Sequence, residues 1–130
     1  MTVEAARILV VEDNRDTSIL LRDLLVAEGY EVESVPTGEA ALVALERTPA
    51  LVLLDLMLPG LSGWEVARRL RHDPRTSGVP IIAVSALARS QERESALHAG
   101  CDAYVAKPFT PDELARLMAT TLETQDVGAR

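Results

Sequence analysis

Short apolar runs alternate along this chain with longer amphipathic segments, and this alternation limits the fold more than any other feature. Residues 8–11, 50–54 and 80–84 are apolar runs bounded by turn signals. Such runs are typical of central strands in a parallel sheet that is buried on both faces. Residues 30–35 alternate in polarity, which favours an edge strand, and residues 103–106 form a short fifth strand.

Amphipathic segments fill the gaps between these strands and predict five helices. They cover residues 16–28, 38–47, 64–71 and 90–99 and a last segment that begins after Thr110. Gly29 and Gly100 stand where two of the helices should end, and Thr110 with Pro111 and Glu113 forms a capping box. Five β/α units predict a flavodoxin-like (βα)5 fold, a doubly wound parallel sheet with strand order 2-1-3-4-5.

The length of 130 residues fits one domain over residues 1–130, with a core at about 7–122 and a polar tail at 123–130 that we expect to fray. The net charge of −7 disfavours direct contact with nucleic acid or an anionic membrane. The chain has one cysteine, Cys101, and no apolar run approaches the length of a membrane span. Without a signal peptide pattern, the expected location is the cytoplasm.

Chemically active side chains follow the carboxyl ends of the predicted strands. Glu12 and Asp13 follow the first strand, Asp55 the third, Ser85 the fourth and Lys107 the fifth. In a doubly wound sheet the carboxyl ends of the strands meet at one edge, where ligands bind beside the switch in strand order. The sequence therefore predicts three carboxylates, a hydroxyl and an ammonium at one site.

Three carboxylates so close together repel one another unless a cation lies between them. Mg²⁺ is the natural choice, because it prefers carboxylate oxygens together with water and phosphate. Lys107 can neutralise further charge, so that a phosphoryl group can approach Asp55. A carboxylate nucleophile can then form an acyl phosphate, and Ser85 can donate a hydrogen bond to a phosphoryl oxygen.

Four sequence blocks give the chain a family resemblance. They are Val10-Val11-Glu12-Asp13-Asn14, the segment LLDLMLPG at residues 53–60, Ser85-Ala86 and Lys107-Pro108-Phe109. Together and in this order they resemble the signature blocks of two-component response-regulator receiver domains. The resemblance covers residues 7–122. It fits a stand-alone, chemotaxis-regulator-like receiver, and a domain of a longer regulator stays open.

The resemblance implies roles in phosphorylation and metal binding. Asp55 matches the phosphorylated aspartate, which is also a Mg²⁺ ligand. Asp13 matches a direct Mg²⁺ ligand and Glu12 one that acts through water, while Met57 supplies a backbone carbonyl. Glu12 stands where many members have Asp, which leaves the metal affinity open.

The resemblance also implies roles in switching. Lys107 matches the lysine that contacts the phosphoryl group, and its bond to Pro108 is expected to be cis. Ser85 matches the switch hydroxyl, where many members have Thr, which leaves the lifetime of the phosphoryl group open. Tyr104 matches the aromatic residue that turns inward when that hydroxyl moves.

The function implied is a phospho-accepting switch rather than a metabolic enzyme, with the ability to promote its own phosphorylation and dephosphorylation. The partners implied are a histidine kinase or histidine phosphotransfer protein, and a downstream protein target or attached output domain. A homodimer through helix 4, strand 5 and helix 5 is one form of output.

Three other functions compete with this interpretation. An aspartyl-phosphate phosphohydrolase would need a second Asp at the position of Met57. A degenerate receiver that only binds proteins is disfavoured because Asp13, Asp55 and Lys107 are all present. Flavin binding by the same fold has no support in the sequence.

Overall fold

The computed structural model describes residues 5–86 and 90–128, and the side chains of residues 5–86 and 91–123. Five strands alternate with five helices in the predicted manner. The elements are β1 (Arg7–Val11), α1 (Arg15–Ala27), β2 (Glu31–Val35), α2 (Gly38–Ala44), β3 (Leu51–Asp55), α3 (Gly63–His72), β4 (Ile81–Ser85), α4 (Ser90–Ala99), β5 (Ala103–Ala106) and α5 (Pro111–Gly128).

The strands form one parallel sheet in the order β2-β1-β3-β4-β5, so the predicted flavodoxin-like topology is confirmed. β1 pairs with both β2 and β3, in the register Val11 with Val35 and Val11 with Leu54. The strand order therefore changes direction between β1 and β3. This is the switch point beside which such sheets bind their ligands.

Side chains of the strands alternate between two apolar layers. Leu9 and Val11 of β1 face the layer that is covered by α2, α3 and α4, whereas Ile8 and Val10 face α1 and α5. The central strands β1, β3 and β4 are buried at every position, and β2 is only partly buried, as predicted for an edge. Burial on both faces explains why the central strands are continuous apolar runs.

Element ends differ from the predictions by a few residues. α2 ends at Ala44 rather than residue 47, because the Glu46 and Arg47 amides donate to Val43 and Ala44 in tighter i to i−3 turns before Pro49. α5 continues through Gly128, so residues 123–128 are helical where we expected fraying. Glu and Gln at 123 and 125 have good helix propensity.

Helix ends follow the capping signals of the sequence. Asn14 accepts a hydrogen bond from the Thr17 amide at 2.9 Å, and Thr110 accepts one from the Glu113 amide at 3.1 Å. Gly29 and Gly100 follow α1 and α4 with φ values of 96° and 113°, which favour glycine. Among the described residues, no helix is both long and apolar enough to cross a lipid bilayer.

Candidate functional site

Backbone hydrogen bonds hold the predicted site residues at the carboxyl edge of the sheet. The Glu12 amide, just after β1, donates to Val35 of β2 at 3.1 Å. At the other side, the Lys107 amide, just after β5, donates to the carbonyl of Ser85 at 2.8 Å. Asp55 is the last residue of β3 and is in register with Val84 of β4. The sheet therefore brings residues that are far apart in sequence to one edge.

The three predicted carboxylates meet at this edge. One oxygen each of Glu12, Asp13 and Asp55 lies within 4.8 Å of the other two. Glu12 and Asp55 are buried, with 3% and 5% of their surface exposed, and Asp13 is exposed. Carboxylate oxygens at this spacing suit a hard divalent cation, and the exposed Asp13 leaves a route for a hydrated ion.

Lys107 is the cation that faces this cluster. Its Nζ lies 2.6 Å from Oε1 of Glu12 and 3.5 Å from Oδ2 of Asp55. The ammonium is therefore held mainly by Glu12. The peptide bond between Lys107 and Pro108 is cis, which is the geometry that the resemblance implies.

The pKa values of this pair follow from burial and proximity. Burial, and then the neighbouring Asp55, raises the pKa of the Glu12 carboxyl to about 7, although Lys107 and the Asn14 amide oppose the shift. Burial by itself would lower the pKa of Lys107, but its hydrogen bond to Glu12 and the charges of Asp55 and Glu12 raise it. Negative charge therefore exceeds positive charge at the site.

Asp55 is fixed from two directions. Its Oδ1 accepts a hydrogen bond from the Met57 amide at 2.9 Å, which leaves Oδ2 facing Lys107. Gly63, the first residue of α3, packs on its backbone so closely that an added Cβ would lie 2.3 Å from the Asp55 carbonyl oxygen. Any side chain at position 63 would displace the strand end that carries Asp55.

The two predicted switch residues lie beside this site on β4 and β5. Ser85 is fully buried at the end of β4, in register with Ala106. Tyr104 is half-buried, packs against the apolar layer below α3 and α4, and is in register with Ala83. Its hydroxyl oxygen is buried and has no hydrogen-bond partner among the described residues.

Three features of the site were not predicted from the sequence. The Met57 amide binds Asp55, the Asn14 amide donates to Oε2 of Glu12 at 3.2 Å, and Gly63 supports the backbone of Asp55. The only signal for Gly63 was a glycine directly after the helix-capping Ser62. The predicted carbonyl ligand of Met57 stays a prediction.

Proteins of known family match the stretch of the chain that contains these residues. The family model described as "Response regulator receiver domain" matches residues 8–119. The phosphate regulon transcriptional regulatory protein PhoB of Rhizobium meliloti is 49% identical over 115 residues, which are 87% of this chain and 51% of that protein. The DNA-binding response regulator MtrA of Mycolicibacterium smegmatis is 43% identical over 125 residues, 95% of this chain and 54% of that protein. The chain thus spans about half the length of these relatives.

A solved structure shares both fold and sequence features. It is the receiver domain of a sensor histidine kinase from Pseudomonas aeruginosa, with a magnesium ion coordinated in the active site cleft. It is 36% identical with a TM-score of 0.86 and covers 92% of this chain and 99% of its own.

Proposed function

Because the chain belongs to the family of response regulator receiver domains, we propose that it accepts a phosphoryl group on Asp55 and changes conformation in response. One observation carries this proposal. Asp55 is a buried carboxylate whose Oδ1 is fixed by the Met57 amide, while Oδ2 faces the Lys107 ammonium at 3.5 Å. One oxygen is thus held by the backbone, and the other faces a cation that can neutralise an incoming phosphoryl group.

The proposed donor is the phosphohistidine of a histidine kinase or histidine phosphotransfer protein. Oδ2 of Asp55 attacks phosphorus, the P–N bond to the donor imidazole breaks, and the imidazole nitrogen takes up a proton. An acyl phosphate forms on Asp55. Water later attacks the same phosphorus, which releases inorganic phosphate and restores the carboxylate. Positioning and charge neutralisation supply most of the catalysis in such transfers.

The proposed cofactor is Mg²⁺, held by Asp13, Asp55 and the Met57 carbonyl, with Glu12 acting through water. The described residues fit this ion, since three carboxylate oxygens lie within 4.8 Å of one another with one ammonium nearby. When bound, the ion neutralises charge on the carboxylates and the phosphoryl oxygens. Lys107 supplies the remaining positive charge, and the low exposure of Asp55 limits access of water to the site.

The proposed output begins at Ser85. A phosphoryl group beside Lys107 attracts the Ser85 hydroxyl into a charge-assisted hydrogen bond. The space that this movement vacates on the side of β5 admits a new position of Tyr104. The proposed readout surface is formed by α4, β5 and α5, and its occupant is a downstream protein, an output domain or a second copy of the chain. Residues 87–89, which connect β4 to α4, lie outside the described residues.

The proposal treats the chain as a switch with self-phosphorylation and self-dephosphorylation rather than a metabolic enzyme. We propose residues 1–130 as one receiver unit with its core at 7–122. The relatives named as transcriptional or DNA-binding regulators are about twice as long as this chain. Output through DNA is therefore proposed for an attached domain, and the lack of direct nucleic-acid contact by this acidic stretch stays a prediction.

Mass spectrometry of the intact protein tests the phosphoacceptor. Incubation with Mg²⁺ and acetyl phosphate should add one phosphoryl group that is labile to base, because the acceptor and its neutralising groups all lie in this chain. Asp55→Asn should abolish the addition, since an amide is not a nucleophile for phosphorus. Asp102→Asn, away from the site beside Arg71, serves as the control and should keep the addition. An undiminished adduct in Asp55→Asn would place the acceptor elsewhere.

A further inference from the structure

Glu12 and Lys107 meet across the whole carboxyl edge of the sheet. Their strands, β1 and β5, are separated by β3 and β4, so three strand spacings of about 4.8 Å place the strand ends about 14 Å apart. Two long side chains cover this distance and end in a contact of 2.6 Å between Nζ and Oε1. The contact passes over the end of β3, where Asp55 lies.

The length of the Glu12 side chain decides this contact. An Asp at position 12 would be shorter by one carbon–carbon bond of about 1.5 Å, and its oxygen would lie about 4 Å from Nζ. That distance exceeds a hydrogen bond. The Asp55 oxygen at 3.5 Å would then be the nearest acceptor for the ammonium.

The contact has a consequence for the nucleophile. A charge-assisted hydrogen bond from Lys107 to Asp55 would occupy an oxygen lone pair that must attack phosphorus. Glu12 draws the Lys107 ammonium away from Asp55. The Glu12 side chain is itself fixed, because Oε2 accepts a hydrogen bond from the Asn14 amide at 3.2 Å and only 2% of the side chain is exposed. The contact of Lys107 with Oδ2 of Asp55 is therefore the longer of its two contacts, at 3.5 Å.

We propose that Glu12 is a positioning residue that holds the Lys107 ammonium away from the reactive oxygen of Asp55 until a phosphoryl group arrives. This role is separate from that of a metal ligand, because it is exerted through Lys107 and is present without a cation. It rests on the proposed phosphorylation of Asp55 for its consequence, but the contact itself does not.

Nuclear magnetic resonance of the protein without metal or donor tests the contact. Hydrogen-bond coupling should connect Nζ of Lys107 to the carboxylate carbon of Glu12, which is the nearer acceptor at 2.6 Å. In Glu12→Asp, which keeps the charge but not the reach, the coupling should move to the carboxylate carbon of Asp55. Coupling of wild-type Lys107 to Asp55 would overturn the proposal.

Kinetics test the consequence. Under saturating Mg²⁺, Glu12→Asp should slow phosphorylation by acetyl phosphate about tenfold, since a charge-assisted hydrogen bond must first be broken. Hydrolysis of the acyl phosphate should be slowed less than phosphorylation, because Lys107 then contacts the phosphoryl group in both proteins. Glu46→Asp, an exposed substitution of the same kind, should change neither rate.

The rates of phosphorylation and of hydrolysis together decide whether Glu12 has a positioning role. An unchanged phosphorylation rate in Glu12→Asp, or an equal loss in both rates, would refute a positioning role. If wild-type protein accepts no phosphoryl group at all, the proposed function fails, and the coupling measurement alone decides whether Glu12 holds Lys107.

Discussion

At the scale of single residues, the site is defined by an imbalance of charge. Glu12, Asp13 and Asp55 bring three carboxyl groups together, and Lys107 brings one ammonium within 4 Å of two of them. Burial of the Glu12 carboxyl, and then the neighbouring Asp55, raises the pKa of Glu12 to about 7. A divalent cation between the carboxylates would relieve the repulsion, so folding and metal binding should be coupled.

Thermal unfolding measures this coupling. Mg²⁺ at ten times its dissociation constant should stabilise the protein by about 1.4 kcal/mol, because it binds the folded state only. Asp13→Ala removes the exposed carboxylate of the cluster and should abolish the Mg²⁺-dependent rise in Tm. Asp23→Ala, an exposed substitution on α1, should keep the rise. If Asp13→Ala showed the same Mg²⁺-dependent rise in Tm as the wild-type protein, the cation would bind elsewhere.

At the scale of elements, β5 connects the site to the surface formed with α4 and α5. Lys107 follows directly after β5, and Tyr104 lies within it, packed towards α4. The Tyr104 hydroxyl is buried without a hydrogen-bond partner among the described residues, and such an atom costs free energy. A second position of Tyr104 that satisfies this hydroxyl would therefore need only a modest bias from the phosphoryl site.

A phosphoryl mimic tests this route. Beryllium fluoride with Mg²⁺ should shift the resonances of Ser85, Tyr104 and α4, because the mimic draws the Ser85 hydroxyl towards Asp55 and Tyr104 follows. We expect the shifts to extend over residues 87–99, of which residues 87–89 lie outside the described part of the chain. In Ser85→Ala the shifts at Tyr104 should disappear, whereas those around Asp13 should remain. Shifts confined to the loops around Asp13 and Asp55 in wild type would rule out this output route.

At the scale of the whole molecule, Arg71 ties the amino-terminal edge of the sheet together. Its guanidinium donates to the carbonyls of Gly100 and Val79 at 2.8 and 2.6 Å and to the Asp102 carboxylate at 2.7 Å. Asp102 in turn accepts the amide of Ile81. One side chain of α3 thus joins the starts of β4 and β5, at the edge opposite the proposed phosphorylation site.

Equilibrium unfolding in urea tests this network. Arg71→Met should lower the free energy of unfolding by about 2–3 kcal/mol, since two partly buried carbonyls and the Asp102 carboxylate lose their donor at once. Arg68→Met, on the exposed face of the same helix, should change it by less than about 0.5 kcal/mol. Equal losses in the two variants would show that the network contributes no more than an exposed ion pair.

Alkylation of Cys101 gives a second measurement of global stability. The thiol is buried next to this network, and burial raises its pKa to about 12 although Arg71 opposes the shift. Because the thiolate is the reactive form, folded protein should not be alkylated up to about pH 9. Reaction should require unfolding and should be faster in Arg71→Met than in wild type. Rapid alkylation of the folded wild-type protein would contradict the buried position of Cys101.

The elements, their order and the edge at which the chemical groups lie can be assigned from the amino-acid sequence. Apolar runs identified the buried strands, and glycines and capping residues identified most helix ends. Parallel strands place their carboxyl ends at one edge of the sheet. The positions of five residues in the sequence therefore assign them to one site: Glu12, Asp13, Asp55, Ser85 and Lys107. These features depend on local pattern and on topology, which a sequence carries directly.

Which side chains contact one another depends on the folded arrangement of distant elements. Lys107 lies 2.6 Å from Glu12 and 3.5 Å from Asp55, so it contacts Glu12 more closely by 0.9 Å. These contacts join residues that are 95 and 52 positions apart in the sequence. Two further contacts also depend on how one element packs on another. Gly63 of α3 packs on the backbone of Asp55, and Arg71 of α3 donates hydrogen bonds near the starts of β4 and β5. Such contacts depend on side-chain length together with the relative placement of distant strands and helices. That placement cannot be predicted from any short segment of the sequence.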